Sequence, residues 1–245
     1  MADRAKTKMT NPLTKMNQVR RTFALPIFVN QENRHPIVFL LGIIASLLYV
    51  VSNHFHFFNP QLLPMSWLDN AVPFIPQTVW IYVSEYVFFI AVYLTCKDTA
   101  NLNKYLYSIM GLQIVSIFIF MIWPTTYPRE LFPLPQDLDY FTYFVFNSLR
   151  TADTPASCCP SLHVSSVYLS SFIFLNDQRK KFPFYFTWAT LITLSTLTTK
   201  QHYVVDLISG LLMAVGTYWV FHKTVVYRSE GSLGLQAPAH PQAKR

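Results

Sequence analysis

The chain has 245 residues, of which 52% are hydrophobic and 16% aromatic, while only 13% are charged. This composition excludes an ordinary soluble domain of this size and indicates an integral membrane protein. The formal net charge is +7, but a basic flank beside a membrane is attracted to anionic lipid headgroups. The charge therefore needs no nucleic acid as a partner.

Residues 1–36 form a basic N-terminal segment, which either lies on the bilayer surface or forms a loosely ordered tail. Apolar segments follow, each close to the about 20 residues that a helix needs to cross the hydrocarbon core. These segments are residues 37–53, 78–96, 105–123, 161–175, 183–199 and 203–221. The sequence therefore predicts an all-α polytopic membrane protein, with six transmembrane helices in a catalytic domain over residues 37–222 and a disordered cytoplasmic tail over residues 223–245.

The basic residues predict the orientation of these spans. Of the 19 Lys and Arg residues, all but Arg129, Arg150 and Lys200 lie before the first span, after the last one, or in the second and fourth connections. Because Lys and Arg accumulate in cytoplasmic loops, both termini are expected to be cytoplasmic. The three exceptions then lie on the extracytoplasmic face.

The connection between the third and fourth spans, residues 124–160, is rich in proline and aromatic residues and extracytoplasmic in this topology. Connections longer than about 15 residues are usually functional or disordered, and the apolar block YFTYFVF favours folding back onto the membrane. We therefore expect this long loop to cover a site. Cys158 and Cys159 at its end are expected to be free thiols, because adjacent cysteines pair only in a strained ring.

Polar residues begin the fourth span, where residues 158–166 read CCPSLHVSS. Polar groups are costly inside a membrane and therefore indicate a function. Pro160 ends the loop, Ser161 occupies the position of a helix N-cap, and His163 lies in the first turn. Free backbone N–H groups and the positive end of a helix bind anions, so this end of the span is a candidate anion site.

A second polar group begins the sixth span, in the stretch KQHYVVDLISG. His202 and Asp206 are four residues apart, so on a helix they share a face and Asp206 accepts the Nδ1 proton of His202. An Asp in this position fixes the tautomer and leaves Nε2 free as a nucleophile or base.

The predicted topology brings the two groups together, because the fourth and sixth spans enter the membrane from the same side. His163 and His202 then lie at equal depth beneath the loop that carries Arg129 and Arg150, with Lys200 close by. Two histidines, an orienting carboxylate and a cluster of cations are suited to phosphoryl transfer, in which one histidine attacks phosphorus and the other protonates the leaving alkoxide.

At these residues the chain resembles the type 2 phosphatidic acid phosphatase superfamily, whose members are six-helix membrane enzymes. The Pro-Ser-Gly-His signature of that superfamily corresponds to residues 160–163. A further signature, Ser-Arg, five residues, His, three residues and Asp, corresponds to residues 195–206. The resemblance covers roughly residues 105–221.

The resemblance implies a role for each matched residue. His202 forms a phosphohistidine, Asp206 orients it, His163 is the general acid, and Ser161 helps to bind the phosphate. Neither a metal nor another cofactor is implied. Arg129 corresponds to the Arg of a third signature, whose Lys is replaced here by Ile122.

The chain departs from the superfamily signatures at two further positions. Leu162 stands in place of the signature Gly, and Thr196 in place of the Arg. Both make the chain similar to the branch that includes inositol phosphorylceramide synthases, which use the same His, His and Asp set to pass a phospho-headgroup between lipids. Lys200 and Arg150 are the candidates to replace the missing Arg as phosphate ligands.

Other polar residues leave alternatives open. Glu85, inside the second span, is either functional or paired structurally with a Tyr or a backbone group. Asp153 is expected to form a salt bridge with Arg150 or to contact the phosphate. His54 and His56 are expected to be interfacial anchors, and His222 is expected to have no catalytic role.

We predict a lipid phosphate phosphatase of a bacterial inner membrane or an internal eukaryotic membrane, whose substrate is a lipid phosphate monoester or diphosphate. The alternatives are a headgroup transferase with the same residues, a proton-coupled transporter with Glu85 in a relay, and a catalytically inactive scaffold. A metal site formed by His163, His202 and Asp206 is a further alternative.

Overall fold

The computed structural model describes residues 24–153 and 156–228. Their helices are α1 (Arg34–His54), α2 (Trp67–Ala71), α3 (Val79–Val83), α4 (Glu85–Thr95), α5 (Thr99–Ile122), α6 (Tyr140–Ala152), α7 (Leu162–Phe172), α8 (Phe182–Thr198) and α9 (Val204–Trp219). Their strands are β1 (Ala24–Pro26), β2 (Gln61–Leu62), β3 (Thr125–Thr126) and β4 (Val226–Arg228). The predicted, mostly helical fold is confirmed.

Helical segments of sufficient length and hydropathy to cross a membrane correspond to the first, second, third and sixth predicted spans. They are Arg34–His54, Pro76–Thr95, Thr99–Ile122 and Val204–Thr224. The fourth predicted span is a shorter apolar helix, Leu162–Leu175, and the fifth is α8. The protein is therefore an integral membrane protein of the α-helical class, while the six-span topology stays a prediction.

Helix α7 lies inside the bundle, where it contacts α4, α5, α8 and α9. It carries an unusual number of serines for an apolar helix. Ser165, Ser166, Ser170 and Ser171 each donate a hydroxyl hydrogen bond to a carbonyl oxygen three or four residues earlier. Because these hydroxyl groups are satisfied within the helix and neighbouring helices surround it, α7 tolerates a polar composition at membrane depth.

The long loop between α5 and α7 is folded. Strand β3 pairs in parallel with β2, and the N–H of Cys158 donates to the carbonyl oxygen of Thr125. The ring of Tyr127 packs against that of Tyr203, with 4.6 Å between the ring centroids. Helix α6 buries Phe146 and exposes the aromatic side chains of Tyr140 and Phe141. The loop therefore lies against the start of α9, while its role as a cover over a site stays a prediction.

The opposite end of the bundle is closed by backbone pairing between the two ends of the described chain. Strand β1 pairs in parallel with β4, and the Asn103 side chain hydrogen-bonds both the N–H and the carbonyl oxygen of Val29. The structure here differs from the predicted disordered tail, because residues 223–228 complete the last helix and form β4. Residues 1–23 and 229–245, with the predictions made for them, lie outside the described residues.

Helices α7 and α9 approach each other closely at Gly210. A Cβ atom built on Gly210 would lie 2.8 Å from the carbonyl oxygen of Ser161 and 3.0 Å from the Cβ of Val164. A contact of 2.8 Å with backbone cannot be relieved by rotating a side chain. Gly210 is therefore required for the packing of α9 against the start of α7.

We expect Gly210→Ala to lower the thermal stability of the detergent-solubilised protein, because overpacking a tight contact typically costs about 1–3 kcal/mol. Gly216→Ala on the same helix is the matched control, since a Cβ there meets nothing within 4 Å. That variant should be neutral or slightly stabilised, because Ala is the better helix former by about 1 kcal/mol. Equal melting temperatures for the two variants would contradict the packing argument.

Candidate active site

His202 lies in a turn that precedes α9, not on the helix itself. Lys200 adopts a φ of 54°, in the left-handed region, and the helix begins at Val204. The prediction that His202 and Asp206 share a helical face is therefore wrong, but the predicted contact is present. Oδ2 of Asp206 lies 3.2 Å from Nδ1 of His202 and also accepts the N–H of Tyr203 at 2.8 Å. Asp206 thus caps its own helix and orients His202 with the same oxygen.

The turn that carries His202 is anchored on both sides to the segment around α2. Nζ of Lys200 donates to the carbonyl oxygens of Asp69 and Val72, at 2.7 and 2.6 Å. Oδ1 of Asp69 accepts the N–H of Val204 at 2.7 Å. These bonds fix the backbone before and after His202, which is only 5% exposed.

The start of α7 lies directly beside this turn. Ser161 is the N-cap as predicted, since its Oγ accepts the N–H of Val164 at 3.3 Å. The N–H of Ser161 donates to the carbonyl oxygen of Asp206, and its Oγ lies 3.3 Å from Nε2 of His202. The structure therefore places a helix N-terminus next to the ring nitrogen that Asp206 leaves free.

His163, in the first turn of α7, lies close to His202, with 5.7 Å between the ring centroids. Its Nε2 lies 2.8 Å from the hydroxyl oxygen of Tyr82 and 3.2 Å from Oε1 of Glu85. Glu85 was singled out by its position inside a span, and the structure pairs it with His163. Nothing in the sequence distinguishes Tyr82 from the other tyrosines.

Arg129 reaches the site from the long loop, where it is bound by Asp153. Its guanidinium donates to Oδ2 of Asp153 at 2.7 Å and to the carbonyl oxygen of the same residue at 2.5 Å. Oδ1 of Asp153 accepts from the Tyr49 hydroxyl at 2.6 Å and from the Asn53 amide at 3.3 Å. Burial alone would raise the pKa of the Asp153 carboxyl, but the nearby Arg129 guanidinium and these hydrogen bonds hold that pKa below its ordinary value.

The predicted pairing of Asp153 with Arg150 is wrong, because Asp153 pairs with Arg129. Arg150 instead donates to the carbonyl oxygen of Phe132 at 2.9 Å and lies over the ring of Phe146 at 4.7 Å. The two residues are only three positions apart, and this proximity in sequence suggested the wrong partner. Burial lowers the pKa of the Arg150 guanidinium.

A small pocket opens between these groups, with a volume of about 200 Å³ that includes its mouth. Its lining residues are Tyr49, Arg129, Asp153, Ser157, Cys158, Gln201 and His202. Of the basic residues predicted to bind phosphate, Arg129 lines this pocket, whereas Lys200 and Arg150 hold backbone carbonyl groups. His54, His56 and His222 do not line it.

The family comparison agrees with this geometry. The family model described as the PAP2 superfamily matches residues 45–220, which include every residue that lines the pocket or contacts His163 or His202. The chain belongs to the PAP2 superfamily. Membership supports a phosphatase-type or phosphotransferase-type activity, and a search of curated proteins finds no match.

We expect Asp153→Asn to lower the free energy of unfolding by about 3–5 kcal/mol, because it leaves the Arg129 guanidinium without its carboxylate in a mostly buried position. Chemical unfolding in detergent measures the loss. Asp137→Asn is the matched control, since Asp137 is exposed in the same loop. A loss of the same size in the control would contradict the assigned ion pair.

The same pair predicts that the free energy of unfolding decreases at acidic pH. Because the folded-state pKa of Asp153 is lower than its unfolded value, its contribution is complete above about pH 3.9 and is lost as the pH falls through the lower, folded-state pKa. Asp153→Asn should remove this part of the dependence of the free energy of unfolding on pH, as measured by chemical unfolding at several acidic pH values. If the variant and the wild type lose stability equally as the pH falls, Asp153 does not cause that loss.

Proposed function

We propose that the protein transfers the phosphoryl group of a membrane lipid phosphate to water through His202. The observation that carries the proposal is the contact of Asp206 Oδ2 with His202 Nδ1, beside the N-terminus of α7. This contact assigns the proton to Nδ1 and the lone pair to Nε2. A neutral imidazole with a free Nε2 is a nucleophile for phosphorus.

The phosphate is held where positive partial charges converge. The first-turn N–H groups of α7 carry the positive end of the helix dipole, and the Ser161 hydroxyl lies beside Nε2 of His202 at 3.3 Å. Arg129 and His202 line the pocket together. These groups stabilise the negative charge that the phosphoryl oxygens carry in the transition state.

His163 supplies the proton in the first step. Nε2 of His202 forms a bond to phosphorus as the bond from phosphorus to the lipid oxygen breaks, and His163 donates its proton to that oxygen. The contacts of Tyr82 and Glu85 both involve Nε2 of His163, so Nδ1 faces the leaving group in this mechanism. Neutral His163 then takes a proton from water, whose oxygen attacks phosphorus and releases phosphate from His202.

Transfer of a headgroup to a second lipid is the alternative function, and the distribution of cations favours it. A phosphate monoester carries a charge of about −1.5 to −2 at neutral pH, because its second pKa is about 6, whereas a diester carries a single charge. Arg129 lines the pocket, but Lys200 and Arg150 hold carbonyl groups. Because Arg129 is also paired with Asp153, the positive charge offered to a substrate is small, and a singly charged phosphodiester requires less of it than a phosphate monoester.

Release of inorganic phosphate from a panel of lipid phosphates tests the proposal on the detergent-purified protein. We expect His202→Ala to abolish release and Asp206→Asn to reduce it, since the neutral amide lacks the carboxylate charge and can present its NH₂ group to Nδ1 of His202, which selects the wrong tautomer. His222→Ala is the control, because His222 lies in the last turn of the sixth span. If the wild type releases no phosphate from monoesters but transfers a headgroup when a lipid alcohol is added, the alternative function replaces hydrolysis.

Lys200 provides a second test, because Nζ, which is predicted to bind phosphate, already donates to two carbonyl oxygens and lies over the ring of Phe132. We expect Lys200→Met to lower the melting temperature while the KM for the lipid phosphate stays close to that of the wild type. The physical reason is that two buried carbonyl groups lose their donor, at about 1–3 kcal/mol each. A large rise in KM at unchanged stability would restore Lys200 as a phosphate ligand.

A further inference from the structure

Three different metal-ligating side chains converge on the pocket from two segments. Cys158 precedes α7, His202 lies in the turn before α9, and Asp206 lies in the first turn of α9. One ligand atom of each residue lies within 4.8 Å of the others. Their exposed fractions are 2%, 5% and 0%, in that order. The sequence suggested a metal alternative with His163 as the third ligand, but the structure brings Cys158 to this position instead.

A second observation at the same place is an unsatisfied carboxylate oxygen. Oδ2 of Asp206 is engaged by His202 and by the N–H of Tyr203, whereas the buried Oδ1 has no hydrogen-bond partner among the described residues. A buried carboxylate oxygen without a donor is costly, because it has lost its hydration. A cation bound beside it would supply the missing interaction.

The donor set selects the class of cation. A thiolate, an imidazole and a carboxylate are ligands of Zn²⁺ and similar thiophilic ions, whereas Mg²⁺ and Ca²⁺ prefer oxygen ligands. Tetrahedral Zn²⁺, with bonds of about 2.0–2.3 Å, holds its ligand atoms about 3.3–3.8 Å apart. Atoms within 4.8 Å of one another therefore need to close by roughly 1 Å, which side-chain rotation supplies.

Access and charge are compatible with such an ion. Cys158 and His202 both line the pocket, so an ion that enters it reaches two of its ligands directly. Thiolate and carboxylate together balance the two charges of Zn²⁺. The remaining cation of the pocket, Arg129, is already paired with Asp153.

We propose that Cys158, His202 and Asp206 form an inhibitory site for Zn²⁺ or a related thiophilic divalent cation. Binding releases the thiol proton of Cys158 to solvent and forms bonds from the metal to sulfur, nitrogen and oxygen. If Nε2 of His202 binds the ion, the attacking atom is blocked, and if Nδ1 binds it, the bond that orients the ring is lost. The proposed inhibition rests on the proposed function, whereas metal binding does not.

Co²⁺ binding tests the site without any activity assay, because a cobalt–thiolate bond gives a charge-transfer absorption in the near ultraviolet. We expect one Co²⁺ per chain with this absorption in the wild type, and its loss in Cys158→Ala and Cys158→Ser. Cys159→Ala is the matched control, since Sγ of Cys159 lies 3.5 Å from Oγ of Ser209 and Cys159 is not among the three ligands. The control should keep the absorption.

Zn²⁺ titration of phosphate release tests the inhibition. We expect reversible inhibition that excess chelator removes, and a half-inhibitory Zn²⁺ concentration at least about tenfold higher in Cys158→Ser than in wild type or Cys159→Ala, the effect of losing about 1.4 kcal/mol of binding. The absence of phosphate release from the wild type would overturn the proposed function, while the cobalt absorption still tests the site.

Two outcomes would overturn the metal site. One is Co²⁺ bound to the wild type without a thiolate absorption, a result that needs no variant to fold. The other is an active enzyme whose sensitivity to Zn²⁺ is the same in Cys158→Ser and in wild type. Thermal unfolding of each variant, compared with the Cys159→Ala control, shows that the variants measured are folded.

Discussion

The contact between the start of α7 and the start of α9 is the constraint on which the candidate site depends. The N–H of Ser161 donates to the carbonyl oxygen of Asp206, and Gly210 allows the two backbones to approach. One helix carries His163 and the other follows His202, so this contact sets the distance between the two rings. The same contact brings the Ser161 hydroxyl and a helix N-terminus to the free nitrogen of His202. The proposed nucleophile and the proposed anion site thus depend on one packing interaction.

His202, the proposed nucleophile, lies outside the helices, and hydrogen bonds to a distant segment hold its backbone in place. Lys200 binds two carbonyl groups of the segment around α2, and Asp69 in that segment binds the N–H of Val204. The backbone is thereby held on both sides of His202. A charged Lys is suited to this task, because one ammonium group satisfies two carbonyl oxygens in a position that is only 3% exposed. Its position close to His202 in the sequence suggested a phosphate ligand, whereas its contacts are those of a structural anchor.

The sequence predicted the parts of the site that depend on local spacing. The N-cap at Ser161 and the contact of His202 with Asp206 lie within a few residues of chain, so composition and spacing identify them. The partners of Arg129 and His163 come from distant elements, and only the packing of the bundle decides which carboxylate each one meets. Asp153 is three residues from Arg150 yet pairs with Arg129, because α6 directs Arg150 to the carbonyl group of Phe132.

The two histidines differ in their carboxylate partners, and this difference is consistent with different roles. Asp206 contacts Nδ1 of His202 and leaves Nε2 beside the anion site, whereas Glu85 contacts Nε2 of His163 and leaves Nδ1. Opposite ring nitrogens are therefore engaged. Both carboxylates are almost fully buried, and each contacts its own histidine. In the proposed mechanism, the positive charge that receives a phosphate comes from the helix N-terminus and from Arg129, which is also paired with Asp153. A substrate with a single negative charge needs the least from these groups.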